Sequence, residues 1–127
     1  MDLTEVKNLY SAAYAHYESG LYTEAGDLFT QLTLMDPQEE SFWRGLAASR
    51  QMGQKYTSAL YAWGVVSILS KDDPLTHLHA AECLLSLQKK EEAKAALNAA
   101  LQLAKDNSQL CIQIEALKQG CKAEVNA

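Results

Sequence analysis

The chain has 127 residues, 48% of them hydrophobic and 21% charged, with 11 Lys plus Arg against 16 Asp plus Glu and a formal net charge of −5. That length suits one domain whose core needs neither disulfide nor metal, and the composition excludes a disordered chain. The acidic balance argues against a partner that is nucleic acid or an anionic membrane, since either selects for positive charge on one face. Ala and Leu supply 38 residues, Val plus Ile only 7 and Pro 2, which is composition for helices and not for strands. No apolar run is long enough to span a bilayer. The opening Met1-Asp2-Leu3-Thr4-Glu5 lacks the basic and apolar regions of a signal peptide, so a chain that is not exported is expected. Cys83, Cys111 and Cys121 are odd in number and widely spaced, which reads as reduced, partly buried thiols in a reducing compartment.

In chain order the sequence repeats. A step of 34 residues carries Tyr22-Thr23-Glu24-Ala25 onto Tyr56-Thr57-Ser58-Ala59 and then onto Lys90-Glu91-Glu92-Ala93. The same step relates the large apolar Phe29, Trp63 and Leu97, then Leu32, Val66 and Ala100, and upstream the small Ala13, Ala47 and Ala81. These registers resemble the tetratricopeptide pattern W-x2-L-G-x2-Y…A-x3-F…P. The spacing predicts an all-α fold of three tandem helix-turn-helix units over 6–39, 40–73 and 74–107, stacked as a curved right-handed solenoid with a concave groove. Gly20 and Gly53 are read as the ends of the first helices, and Asp36-Pro37 and Asp73-Pro74 as N-cap and first-turn proline of the next unit. In the third unit Gln88-Lys89-Lys90 stands where a glycine is expected. Leu110, Ile114 and Leu117 on one face, with Gln109, Gln113 and Lys118 on the other, predict a capping helix over 108–120, followed by a frayed tail over 121–127.

First helices of stacked units line the concave side, and positions 2, 5, 9 and 12 of each unit form one stripe along them. In this chain the stripe reads Lys7, Tyr10, Tyr14 and Tyr17; Ser41, Arg44, Ala48 and Gln51; and Leu75, Leu78, Glu82 and Leu85. Three tyrosines and three leucines on a solvent-facing stripe point to a binding surface, although any single tyrosine also reads as half-buried core. Co-chaperone tetratricopeptide domains hold an acidic carboxylate with Lys and Asn at first-helix positions. The matching positions here carry Tyr10, Tyr14, Gly45, Leu75 and His79, so an apolar ligand is expected instead.

No phosphate-loop, dinucleotide, nucleophile-elbow or zincin motif occurs, so no catalytic residue and no cofactor is assigned. His79 and Cys83 share a helix face beside His77, but a tetrahedral site lacks further ligands nearby, and no metal is expected. His16 is read as a hydrogen-bonded ring between the helices of the first unit and not as a base. Glu82 is the acidic group on the stripe, either meeting a ligand amide or solvated.

Two runs carry a more specific resemblance. Phe42-Trp43-Arg44-Gly45-Leu46-Ala47-Ala48 with Arg50-Gln51 and Gly53, and His79-Ala80-Ala81-Glu82-Cys83-Leu84-Leu85, are similar to the class II type III secretion chaperones of the SycD/LcrH type over roughly residues 6–120. The resemblance implies a chaperone in the bacterial cytoplasm, neither an enzyme nor a direct membrane binder. Its partners would be hydrophobic pore-forming translocators, kept soluble by holding an extended Pro- and Leu-anchored segment in the groove. By position that groove comprises Tyr10, Tyr14, Tyr17, Arg44, Ala48, Gln51, Leu75, Leu78, Glu82 and Leu85. Family members carry a further N-terminal helical segment tied to dimerisation, which this sequence is expected to lack, leaving homodimer or monomer open. The alternative is a scaffold bridging folded partners through its convex face.

Overall fold

The computed structural model describes residues 2–126, with side chains through Cys121. Its helices are α1 (Leu3–Glu18), α2 (Tyr22–Met35), α3 (Glu40–Met52), α4 (Tyr56–Leu69), α5 (Pro74–Ser86), α6 (Lys90–Leu103) and α7 (Ser108–Asn126), and no strand occurs among the described residues. Each helix packs chiefly on its neighbours in sequence, and α1 also reaches α3, so the chain is a solenoid of stacked helix pairs.

The residues related by the 34-residue step form the core. Ala13, Ala47 and Ala81 on the first helices are buried, as are Ala25, Ala59 and Ala93 on the second. At each such crossing a methyl group lets two backbones approach closely, and Phe29, Trp63 or Leu97 fills the space beside it. The core divides in two: one cluster serves α1 to α4 with Cys83 of α5, while Leu78, Leu97, Ile114 and Cys121 anchor a second across α5, α6 and α7.

The turns inside each pair also repeat. Leu21, Lys55 and Lys89 N–H groups donate to the carbonyls of His16, Arg50 and Leu84 at 2.9, 2.8 and 2.8 Å, closing three equivalent helix ends. The residue before each donor is left-handed: Gly20 at φ 80°, Gln54 at 63° and Gln88 at 61°. Gly53 ends α3 as expected, as its C-cap at φ −82°, and the left-handed site falls one residue later at Gln54. Asp36-Pro37 differs from expectation. Asp73 caps α5 by accepting from Leu75 N–H at 2.9 Å, with Pro74 in the first turn. Asp36 instead follows the end of α2 and accepts from Gln38 N–H, and α3 starts only at Glu40. The two Asp-Pro pairs are not one repeat apart, so they occupy different places in the turn. The residue equivalent to Asp73 is Asn107, whose side chain accepts from Leu110 N–H at the start of α7. α7 runs through Gly120 to Asn126, beyond its expected end, because buried Cys121 still packs on the second cluster; residue 127 lies outside the described residues.

A non-glycine residue in the left-handed region costs about 1–2 kcal/mol, part of which glycine returns through its freer unfolded chain. Gln88→Gly should therefore raise the thermal midpoint by about 2–5 °C in a circular-dichroism melt. An unchanged or lower midpoint would mean that the turn at Gln88 is not strained.

Candidate functional site

α1, α3 and α5 stand side by side, and their spacing of three and four residues brings one stripe of each to the concave side. On α1 this stripe is aromatic. Tyr14, 41% exposed, meets Tyr10 edge-on at 5.0 Å and Phe29 of α2 at 5.6 Å between ring centroids. Tyr17 meets Tyr22 at 5.5 Å. Tyr10 is half-buried, leaning on Phe29 and Phe42, so it backs the stripe more than it faces solvent.

Between α1 and α3 lies a cleft of about 210 Å³ lined by Tyr14, Tyr17, Phe29, Arg44, Gly45 and Ala48. A second, of about 270 Å³, is lined by Tyr17, Ala48, Gln51, Met52, Trp63, His79 and Glu82. Tyr17 and Ala48 belong to both, so the two form one trough crossing from α1 over α3 to α5. Gly45 makes the first half possible: a Cβ there would overlap the Phe29 ring, which rests directly on the α3 backbone and floors the cleft.

The trough carries little free charge. Arg44 lies against Glu40 one turn back and 2.9 Å from Asp73 at the start of α5. Burial works against its charge, but hydrogen bonds to those two carboxylates outweigh it and raise its pKa. Trp63 Nε1–H donates to Gln51 Oε1 at 2.8 Å, and Gln51 Nε2–H donates to Glu82 Oε1 at 3.1 Å. His79 Nδ1 lies 2.8 Å from the same carboxylate oxygen and stacks on Trp63 at 4.7 Å. The hydrogen bond from His79 lowers the Glu82 pKa, burial opposes it, and Gln51 adds to the lowering. Hydrogen bonding to Tyr10, then burial, pushes the Tyr14 phenol up to about 12, and burial raises Tyr17. Both phenols stay neutral near pH 7 and present amphipathic rings suited to apolar side chains and backbone polar groups.

Of the residues expected at the groove, Tyr14, Tyr17, Arg44, Ala48, Gln51 and Glu82 line this trough. Leu78 does not. It is 2% exposed and part of the second core cluster, because Leu110 and Ile114 of α7 cover it. Leu85 packs against that same cluster and faces a separate depression beside Gln88, Lys90 and Glu91. Leu75 lies at another cleft, next to α7. His16 is half-buried, not central, and its Nδ1 lies 2.7 Å from the Ala12 carbonyl of its own helix. Cys83 is buried, and burial followed by the charge of Glu82 pushes its thiol up to about 11, so it stays protonated. Phe29, Gly45, Met52, Trp63 and His79 complete the trough without having been expected there. Phe29 and Trp63 sit on second helices, outside a first-helix stripe. His79 is offset by one from a stripe position, and only its stacking on Trp63 brings it in.

Gly45→Ala should force Phe29 upward into the cleft and cost about 1–3 kcal/mol, read as a lower midpoint in a denaturant titration. Because the Glu82 pKa is depressed on folding from 4.5, its contribution is present above that value and is lost as pH falls through the folded-state pKa. Glu82→Gln should therefore flatten part of the acid limb of a stability-against-pH profile. An acid limb identical to that of the parent would remove the Gln51–Glu82–His79 network from the account.

Comparison with known proteins agrees with this geometry. Family models of the tetratricopeptide repeat match residues 6–39 and 76–107. The low calcium response locus protein H of Yersinia pestis is 34% identical over 104 residues, which is 82% of this chain and 62% of that protein. The chain thus spans about three-fifths of the length of that curated relative. The crystal structure of the Yersinia enterocolitica type III secretion chaperone SycD, in complex with a peptide of the translocator YopD, superposes with a TM-score of 0.88 at 28% identity, covering 97% of this chain and 96% of that one. SycD in an alternative dimer also gives 0.88 at 27% identity, covering 99% and 98%. The two repeat-model matches cover just over half of the chain, so it belongs to the tetratricopeptide-repeat proteins, and within them it is similar to proteins of the SycD/LcrH type.

Proposed function

We propose that this protein is a cytoplasmic chaperone of a bacterial type III secretion system, without enzymatic activity of its own. It holds an extended apolar segment of a translocator in the concave trough and so keeps that partner soluble before export. The observation that carries this reading is the continuous, aromatic-lined trough from Tyr14 to Glu82, whose charged groups are all partnered, together with the peptide complex of SycD, whose fold this chain shares. An extended peptide alternates its side chains, so spaced anchors can enter the clefts beside Tyr14 and Trp63 while the backbone meets the phenols and the Glu82 carboxylate. The SycD dimer makes a homodimer of this chain part of the same reading. One observation favours the scaffold alternative: Tyr61 and Ile68 of α4 are exposed on the side away from the trough.

Truncating an aromatic anchor at such a site costs about 2 kcal/mol or more, which is tenfold or more in affinity. With peptides of YopD as probe in calorimetry, Tyr14→Ala should weaken binding by about that factor, and salt should matter little. Lys94→Ala on α6 should leave affinity unchanged. Binding that survives Tyr14→Ala but is lost in Tyr61→Ala would favour the scaffold.

A further inference from the structure

The 34-residue step does not stop at the third pair. Carried onto α7, it takes the stripe of α5 to Gln109, Ile112, Ala116 and Gln119, all of them exposed. α7 is therefore placed as a fourth first helix as well as an end cap, and its exposed face is not purely polar. Ile112 is 69% exposed and Leu75 of α5 is 43% exposed. Both line a cleft of about 640 Å³ between the N-terminal halves of α5 and α7, with Pro74 at its wall and the side-chain amides of Asn107, Gln109 and Gln113 at its rim.

This cleft adjoins the trough across one ion pair. Arg44 lines the trough, and its guanidinium reaches Asp73 at 2.9 Å, while Asp73 is itself a wall residue of the α5–α7 cleft. One ion pair is thus the partition between them. Arg44 and Asp73 are each partnered in that ion pair and the far rim carries uncharged amides, so a chain crossing it finds hydrogen-bonding groups for its backbone. Neighbouring packed helices lie about 8–10 Å apart, so the step from the α1–α3 cleft to the α5–α7 cleft is roughly 20 Å, or about six extended residues.

We propose that the α5–α7 cleft, closed by Leu75 and Ile112, is a further anchor site for the same extended translocator segment, taking an apolar side chain about six residues from the one held beside Tyr14. This rests on the groove reading above, and the test separates the two. Peptides tiled across YopD are made in paired lengths of about 12 and about 18 residues and titrated by calorimetry. On the parent chain, lengthening at one end should tighten binding about tenfold. Ile112→Gln and Leu75→Gln should each erase that gain and leave the shorter peptide unchanged, while Tyr14→Ala should weaken both lengths. Both glutamine variants replace exposed side chains, and melts matching the parent verify their fold. No gain on lengthening, or a gain that persists in both variants, overturns the anchor site alone. Absence of binding by every peptide, or indifference to Tyr14→Ala, overturns the groove reading and this site with it.

Discussion

Everything in this molecule depends on how closely two helices can approach. Where α1 meets α2, α3 meets α4 and α5 meets α6, alanines stand on both sides of the contact, and all six are fully buried. Close approach brings each pair into van der Waals contact along its length and leaves a wedge beside the crossing for one large apolar side chain. Because the crossings are alike, the units stack with a constant offset, and constant offset is what curves a solenoid. The groove is therefore a consequence of alanine placement before it is a consequence of any residue that lines it.

Inside that frame, stability and binding share residues. Phe29 closes the core of the first pair and floors the first cleft, and Gly45 leaves the room it occupies. Trp63 likewise fills the second crossing, while its indole N–H donates to Gln51 and its ring stacks directly on His79. The trough floor is thus built on buried residues of the hydrophobic core, which gives it the rigidity that reduces the entropy lost on binding. Its charged groups are all partnered: Arg44 lies between Glu40 and Asp73, and Glu82 is hydrogen-bonded with Gln51 and His79. An apolar segment passing over them encounters satisfied groups, so little desolvation opposes its approach.

Much of this architecture is legible from residue spacing. The step of 34 residues places the crossing alanines and their large partners, and every one of them is buried as that step requires. Helix-forming composition excludes strands, and the equivalent turns at Gly20, Gln54 and Gln88 follow from the same period, although only the first has the residue the local backbone favours. Gly53 does end α3, but the left-handed residue of that turn is Gln54, the position the 34-residue step gives and not the one local propensity favours.

The groove was only partly legible, for a physical reason. A stripe drawn along a first helix says which way each side chain points, but not what lies above it. Tyr14, Tyr17, Ala48 and Gln51 line open clefts on α1 and α3, with no further helix over them among the described residues. Leu78 holds on α5 the place that Tyr10 and Arg44 hold on α1 and α3, yet it belongs to the core cluster that α7 completes, so the same stripe position that is open at Arg44 becomes core. Phe29 and Trp63 reach the trough from second helices, through gaps left by Gly45 and Ala48, and no pattern along one helix contains them. Periodicity along the chain determines which faces are apolar and how the pairs repeat. Which of those faces meets another helix, and which meets a partner, depends on contacts between units far apart in sequence, and these exist only once the solenoid has closed.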